Sequence, residues 1–145
     1  MEAYRHRVQY YETDRMGITH HSNYIRWMEE ARVDFLRRAG WPYERLEAEG
    51  IISPVTAISC RFKASTSFPD EILIDVSVSE FKGAILKLEY LMTDLCDKTV
   101  FEGHSEHCFL DKDGKLVRLT KACPELAGIF EALAKEAAAA GPREA

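Results

Sequence analysis

The stretch SNYIRWMEEARVDFLRRAG, residues 22–40, carries the strongest periodicity in the chain. Tyr24, Trp27, Met28, Ala31, Phe35 and Ala39 recur at spacings of three and four, while Arg26, Glu29 and Arg37 occupy the opposite side. That is the pattern of an amphipathic helix with one buried face. Gly40 can take the left-handed conformation after the last turn, and Pro42 can open a second, short helix running to about Glu49. At about 1.5 Å per residue the main helix spans roughly 26 Å, the width of a small domain. Its apolar face needs a cover.

Strands on both sides supply one. Downstream, Ile58, Cys60 and Phe62 alternate with Ser59, Arg61 and Lys63, and Ile72, Ile74, Val76 and Val78 alternate with mostly polar residues. Leu86, Leu88, Tyr90 and Met92 repeat the pattern, and a fourth run spans Thr99 to Leu110. Turn-forming segments at Phe68–Asp70, Lys82–Gly83, Asp94–Lys98 and Asp111–Gly114 separate the runs, so consecutive strands pair antiparallel. Upstream, Tyr4 to Tyr11 reads as a first strand that ends in a loop from Glu12 to Thr19. From Cys123 to about Ala140, Leu126, Ile129, Phe130, Leu133 and Ala134 take helical spacing, and residues 139–145 are expected to fray. The predicted fold is α+β: a curved antiparallel sheet of about five strands wrapped around a long central helix, with a C-terminal helix, in one domain over residues 1–145.

A chain of 145 residues with 46% hydrophobic and 30% charged residues has the composition of an ordered globular protein. Its net charge of −5 offers no basic field for nucleic acid or anionic lipid. The charged N-terminus lacks the apolar run of a signal peptide, and no apolar stretch approaches the roughly 20 residues of a membrane span. A cytoplasmic protein, without nucleic-acid or membrane partners, is expected. Cys60, Cys96, Cys108 and Cys123 form no CxxC pair, which favours reduced thiols.

Chemistry concentrates where the first loop meets the central helix. Glu12 and Asp14 precede a loop containing Gly17 that runs straight into the helix start. Unpaired N–H groups and a partial positive charge at a helix start stabilise a nearby oxyanion, and a carboxylate opposite can attack a carbonyl or activate water. The plainer alternative is a structural one: Asp14 caps the loop and Gly17 supplies a turn.

The stretch YETDRMGITHHSNY, residues 11–24, followed by WMEEAR, residues 27–32, resembles the signature of hotdog-fold acyl-CoA thioesterases of the 4-hydroxybenzoyl-CoA thioesterase and YbgC type. The shared features are an Asp, a Gly three positions later, a His seven positions later, an Asn-Tyr pair and a Glu-x-Ala-Arg type helix. The resemblance implies hydrolysis of an acyl-CoA, or of an acyl carrier protein thioester, by water and without a cofactor. It implies that Asp14 is the catalytic nucleophile or general base and that the backbone N–H of His21 polarises the thioester carbonyl. It also implies a homo-oligomer, dimer or tetramer, with active sites where subunits pair. Arg15 and Met16 replace the small residues that the family carries before the Gly.

Other residues complete the expected site. Gly17 and Tyr24 flank the helix start, and Arg61 and Lys63 share one face of a strand and can hold the phosphates of CoA, with Lys82 a weaker candidate. Tyr24, Trp27 and Phe35 are read as mainly core. His20 and His21 are expected to point apart, and His104 and His107 to lie on opposite strand faces, so no metal site is predicted. Glu29 is expected on a solvated face, with Glu30 structural and the fallback carboxylate. A dehydratase using a His20 or His21 imidazole, and an inert acyl-thioester binder, are the alternative activities.

Overall fold

The computed structural model describes residues 2–141. Its elements run β1 (Tyr4–Arg7), α1 (Ser22–Arg38), α2 (Tyr43–Ala48), β2 (Val55–Phe62), β3 (Glu71–Phe81), β4 (Leu86–Thr93), β5 (Thr99–His107), α3 (Leu119–Ala122) and α4 (Pro124–Ala140). The five strands form one antiparallel sheet in the order β1-β3-β4-β5-β2. The predicted helix-wrapping sheet is therefore the observed architecture.

Helix α1 ends where Gly40 turns left-handed at φ +86°. Its N–H reaches the Arg37 carbonyl at 3.0 Å and the Trp41 N–H reaches that of Leu36 at 2.9 Å, which together close the last turn. The apolar face then lies in the sheet's concavity. Trp27, Met28, Ala31 and Phe35 share one buried core with Ile72, Ile74, Leu88, Tyr90, Met92 and Phe101, of which Ile74, Met92 and Phe101 form one row across β3, β4 and β5. Helix α4 seals one end, where the Phe130 ring packs on Phe81 and Phe109.

Four expectations change. The first strand stops at Arg7, because its partner β3 begins at Glu71 opposite Arg7; one further bond, from the Val8 N–H to the Asp70 carbonyl at 2.8 Å, follows, and Tyr10–Glu12 then coil into a 3-10 turn. The last strand stops at His107, and Leu110 pairs only locally with Ile52 and Leu116. Strand β2 begins at Val55, earlier than predicted, and its alternation does not become burial: Val55, Ile58 and Phe62 stay 39–49% exposed because β2 is a sheet edge. The C-terminal helix holds through Ala140, so of the segment expected to fray residues 139 and 140 are helical, while 142–145 lie outside the described residues. Among the described residues no helix is long and apolar enough to cross a membrane.

Candidate active site

The loop between β1 and α1 folds back on itself. Thr13 bridges to Thr19, the Asp14 N–H donates to the Ile18 carbonyl at 2.9 Å, and the His20 N–H donates to the Glu12 carbonyl at 2.8 Å. Closing this short hairpin requires the left-handed backbone of Gly17, at φ +78°, a conformation that strains any residue with a Cβ. The hairpin is tied from outside as well. The Ser67 hydroxyl donates to the Gly17 carbonyl at 2.6 Å, and the Thr19 N–H donates to the Thr66 carbonyl at 2.8 Å. Thr66 Oγ1 also lies 2.7 Å from the Thr19 hydroxyl and 2.9 Å from that of Tyr24.

Asp14 sits half-buried at one end of the hairpin. One carboxylate oxygen accepts the Met16 N–H at 2.8 Å, the turn-stabilising role that a loop Asp commonly fills. The second oxygen has no hydrogen-bond partner among the described residues. His21 stands at the other end, as the residue preceding the first turn of α1. No acceptor for its backbone N–H is found among the described residues, which is the usual condition of an N-terminal helix donor. The loop thus holds a carboxylate and an unused helix-start donor on one short, doubly anchored segment.

Beneath the loop lies a buried polar cluster that sequence reasoning missed. Glu12 is 4% exposed, yet its carboxylate accepts the Trp27 indole N–H at 2.7 Å and the Gln9 N–H at 2.8 Å, and sits 2.9 Å from His6 Nε2. Burial pushes this carboxyl up, but the three donors together outweigh burial and hold it below the usual carboxylate value. The Glu12 carbonyl also accepts the Asn23 side-chain amide at 2.9 Å, so one residue secures both the loop and the helix start. His6 approaches Glu30 as well, at 3.5 Å, and Glu30 accepts the Tyr4 hydroxyl at 3.0 Å. Glu30 is thus structurally engaged while Glu29 is exposed, both as expected. Nothing in the spacing of Glu12 distinguishes it from a solvated acid; the apolar neighbours Tyr10 and Tyr11 are themselves exposed.

The remaining predicted residues divide between core and edge. Tyr24 is 3% exposed, stacked on Phe101 at 5.2 Å and beside Phe62 at 5.3 Å, and burial raises its phenol. Phe62 faces α1, so the alternating Arg61 and Lys63 project from the opposite side of the sheet. There Arg61 registers with Glu102, and Lys63 lies 3.8 Å from the Glu102 carboxylate. Lys82 pairs with Glu80 at 3.3 Å. His20 and His21 do not point apart: their ring centroids lie 4.2 Å from each other with the planes tilted by 31°, because His20 Nδ1 turns back onto Ser22 at 2.8 Å. His104 is exposed and His107 buried, on opposite strand faces as predicted. Burial, with the Arg32 guanidinium adding to it, pushes the His107 imidazole down to about 4.

The chain's similarities agree with this arrangement. Residues 8–135 match the model of the thioesterase-like superfamily. An Aquifex aeolicus protein provisionally assigned as an esterase is 35% identical over 123 residues, 85% of this chain and 94% of that protein. The acyl-CoA thioesterase YbgC of Haemophilus influenzae is 29% identical over 84 residues, 57% of this chain and 62% of that protein. The crystal structure of the DHNA-CoA thioesterase of Staphylococcus aureus superposes with a TM-score of 0.88 at 26% identity, covering 99% of this chain and 96% of that one. The sheet order, the central helix and these matches together make the chain a member of the thioesterase-like superfamily, an enzyme that hydrolyses thioesters on a hotdog fold.

Proposed function

We propose that the protein hydrolyses acyl-CoA thioesters, with Asp14 as the nucleophile or general base and the His21 backbone N–H as oxyanion donor. The observation that supports this reading is the closed loop that carries Asp14 and the open His21 donor, held through His20 and Asn23 on the Glu12 carbonyl and through Thr19 on Thr66. In the reaction the Asp14 carboxylate attacks the thioester carbonyl or takes a proton from the attacking water. Negative charge builds on the carbonyl oxygen, where the N–H and the helix dipole stabilise it. On the nucleophile route the C–S bond breaks to leave the acyl group on Asp14 as an anhydride, which water hydrolyses to the free acid while supplying the thiol proton; on the general-base route the proton that Asp14 takes from the attacking water passes to the departing sulfur. Gly17 lets the loop close and Tyr24 holds its floor through Thr66, whereas Arg61 and Lys63, on the sheet face opposite α1, lie away from this loop.

In this reading residues 1–145 act as one catalytic domain in the cytoplasm, and two chains pair through the open edge of β2. An unpaired edge with exposed Val55, Ile58 and Phe62 supports that pairing, because such an edge otherwise invites aggregation. Incubating the purified protein with a panel of acyl-CoAs and following free thiol tests the activity. Thiol release that rises with enzyme concentration is expected; no release from any member would overturn the reading.

A further inference from the structure

Arg32 is a buried cation without an anion. It is 7% exposed and projects from α1 toward the junction with α2 and the sheet. Its Nε donates to the Tyr43 hydroxyl at 3.0 Å and Nη1 to the Tyr90 hydroxyl at 3.0 Å. Tyr90 continues to Ser105 at 2.7 Å and Ser105 to His107 Nε2 at 2.7 Å, so the chain behind the guanidinium is neutral throughout. Among the described residues no carboxylate forms an ion pair with Arg32, and Nη2 makes no hydrogen bond. Buried charges are ordinarily paired, because desolvating one alone is costly.

Arg32 also lines a groove of about 400 Å³ at the seam of α1 and β2, together with Ile25, Glu29, Val55 and Ile58. The two elements run alongside each other. Phe62, at the far end of β2, lies against Tyr24 and 6.3 Å from the His21 ring. An apolar seam of Phe62, Ile58, Ile25 and Val55 therefore leads from the helix start that carries the proposed oxyanion donor to Arg32. It ends there, since the enclosed space behind the guanidinium holds only about 10 Å³, room for about one water. Position 32 lies eleven steps along the helix from position 21, and arginine leans back toward the helix start, so the acyl chain between them spans on the order of 10 Å.

Resting on the thioesterase reading, we propose that Arg32 determines specificity: it binds a carboxylate at the far end of the acyl group, making ω-carboxyacyl-CoA the preferred substrate class. The planar fork of arginine suits a carboxylate, and the tyrosines behind it fix the guanidinium in place. Glu29 shares the groove but is exposed, so its carboxylate is free to turn to water, while the Arg32 guanidinium is fixed by the two tyrosines.

The test compares acyl-CoAs of one length, about eight carbons to match the span, that end in a methyl, a hydroxyl or a carboxylate group. Thiol release is measured with the wild type, Arg32→Met and Arg32→Lys. The wild type should prefer the carboxylate end by about ten- to a hundredfold in kcat/KM, the worth of a hydrogen bond to a charged group. Arg32→Met should prefer the methyl end, and Arg32→Lys should keep the order of preference with a smaller ratio. If Arg32→Met does not fold, the wild-type ratio and Arg32→Lys still decide. A wild type that favours the methyl or hydroxyl end overturns the assignment, as does a folded Arg32→Met with unchanged preference. Either result leaves hydrolysis itself intact, whereas silence across the whole panel would remove the thioesterase reading together with this one.

Discussion

Replacing Glu12 by alanine strands three groups at once: the buried Trp27 indole, the buried His6 ring and the partly buried Gln9 N–H. Removing one member of a buried charged cluster costs about 3–5 kcal/mol, so Glu12→Ala should lower unfolding stability by roughly that amount in denaturant titration. A loss under about 1 kcal/mol would place the carboxylate in contact with solvent rather than in the cluster. His21 offers the complementary experiment, since its backbone and its side chain can be removed separately. His21→Ala keeps the N–H and should retain a substantial part of the activity. Proline suits the helix start but has no N–H, so folded His21→Pro should lose about a hundred- to a thousandfold in turnover. Activity abolished by alanine and kept by proline would assign the work to the imidazole.

At the scale of elements, the open strand is the test. A lysine at position 58, in the middle of the exposed apolar row on β2, adds a charge where the proposed subunit pairing needs an apolar edge. The wild type should scatter light as a species larger than the 16.5 kDa chain, and Ile58→Lys should shift it toward that mass. A wild type at chain mass would contradict the pairing outright. How much of these elements was legible in the sequence follows from what each depends on. Helix α1 was readable almost to the residue, because its period and its stop at Gly40 are local signals. The meander β3-β4-β5 was readable for the same reason. The burial of β2 was misjudged because alternation reports which faces a strand has, not whether a neighbour covers them. The end of β1 was misjudged because it depends on where a strand about 65 residues away begins, which no local pattern records. Asp14 and Gly17 stood out by their placement before the helix start and His21 only through a family signature, whereas the contacts of Glu12, His6 and Arg32 are ones that spacing does not encode.

For the molecule as a whole, acid stability follows from His107. Its imidazole is held near 4 in the folded protein against an ordinary value of 6.5, so between those values the unfolded chain binds the extra proton. Stability is therefore full above about pH 6.5 and falls as pH drops toward 4, by roughly 3 kcal/mol across the window. The Glu12 contribution, with its depressed carboxyl, disappears only below the usual carboxylate value of 4.5, so the slope above pH 5 isolates His107. His107→Gln should flatten that part of the curve in melting experiments; an equally steep slope would assign it to other histidines. The central claim concerns Asp14 at the mouth of the loop, and Asp14→Asn tests it most directly, because the amide preserves size while it is neither a base nor a competent nucleophile. With folding verified by circular dichroism, thiol release from an acyl-CoA that the wild type cleaves should fall by about a hundredfold or more. Turnover within a few-fold of the wild type would contradict the account and move the catalytic carboxylate to Glu30 or Glu12.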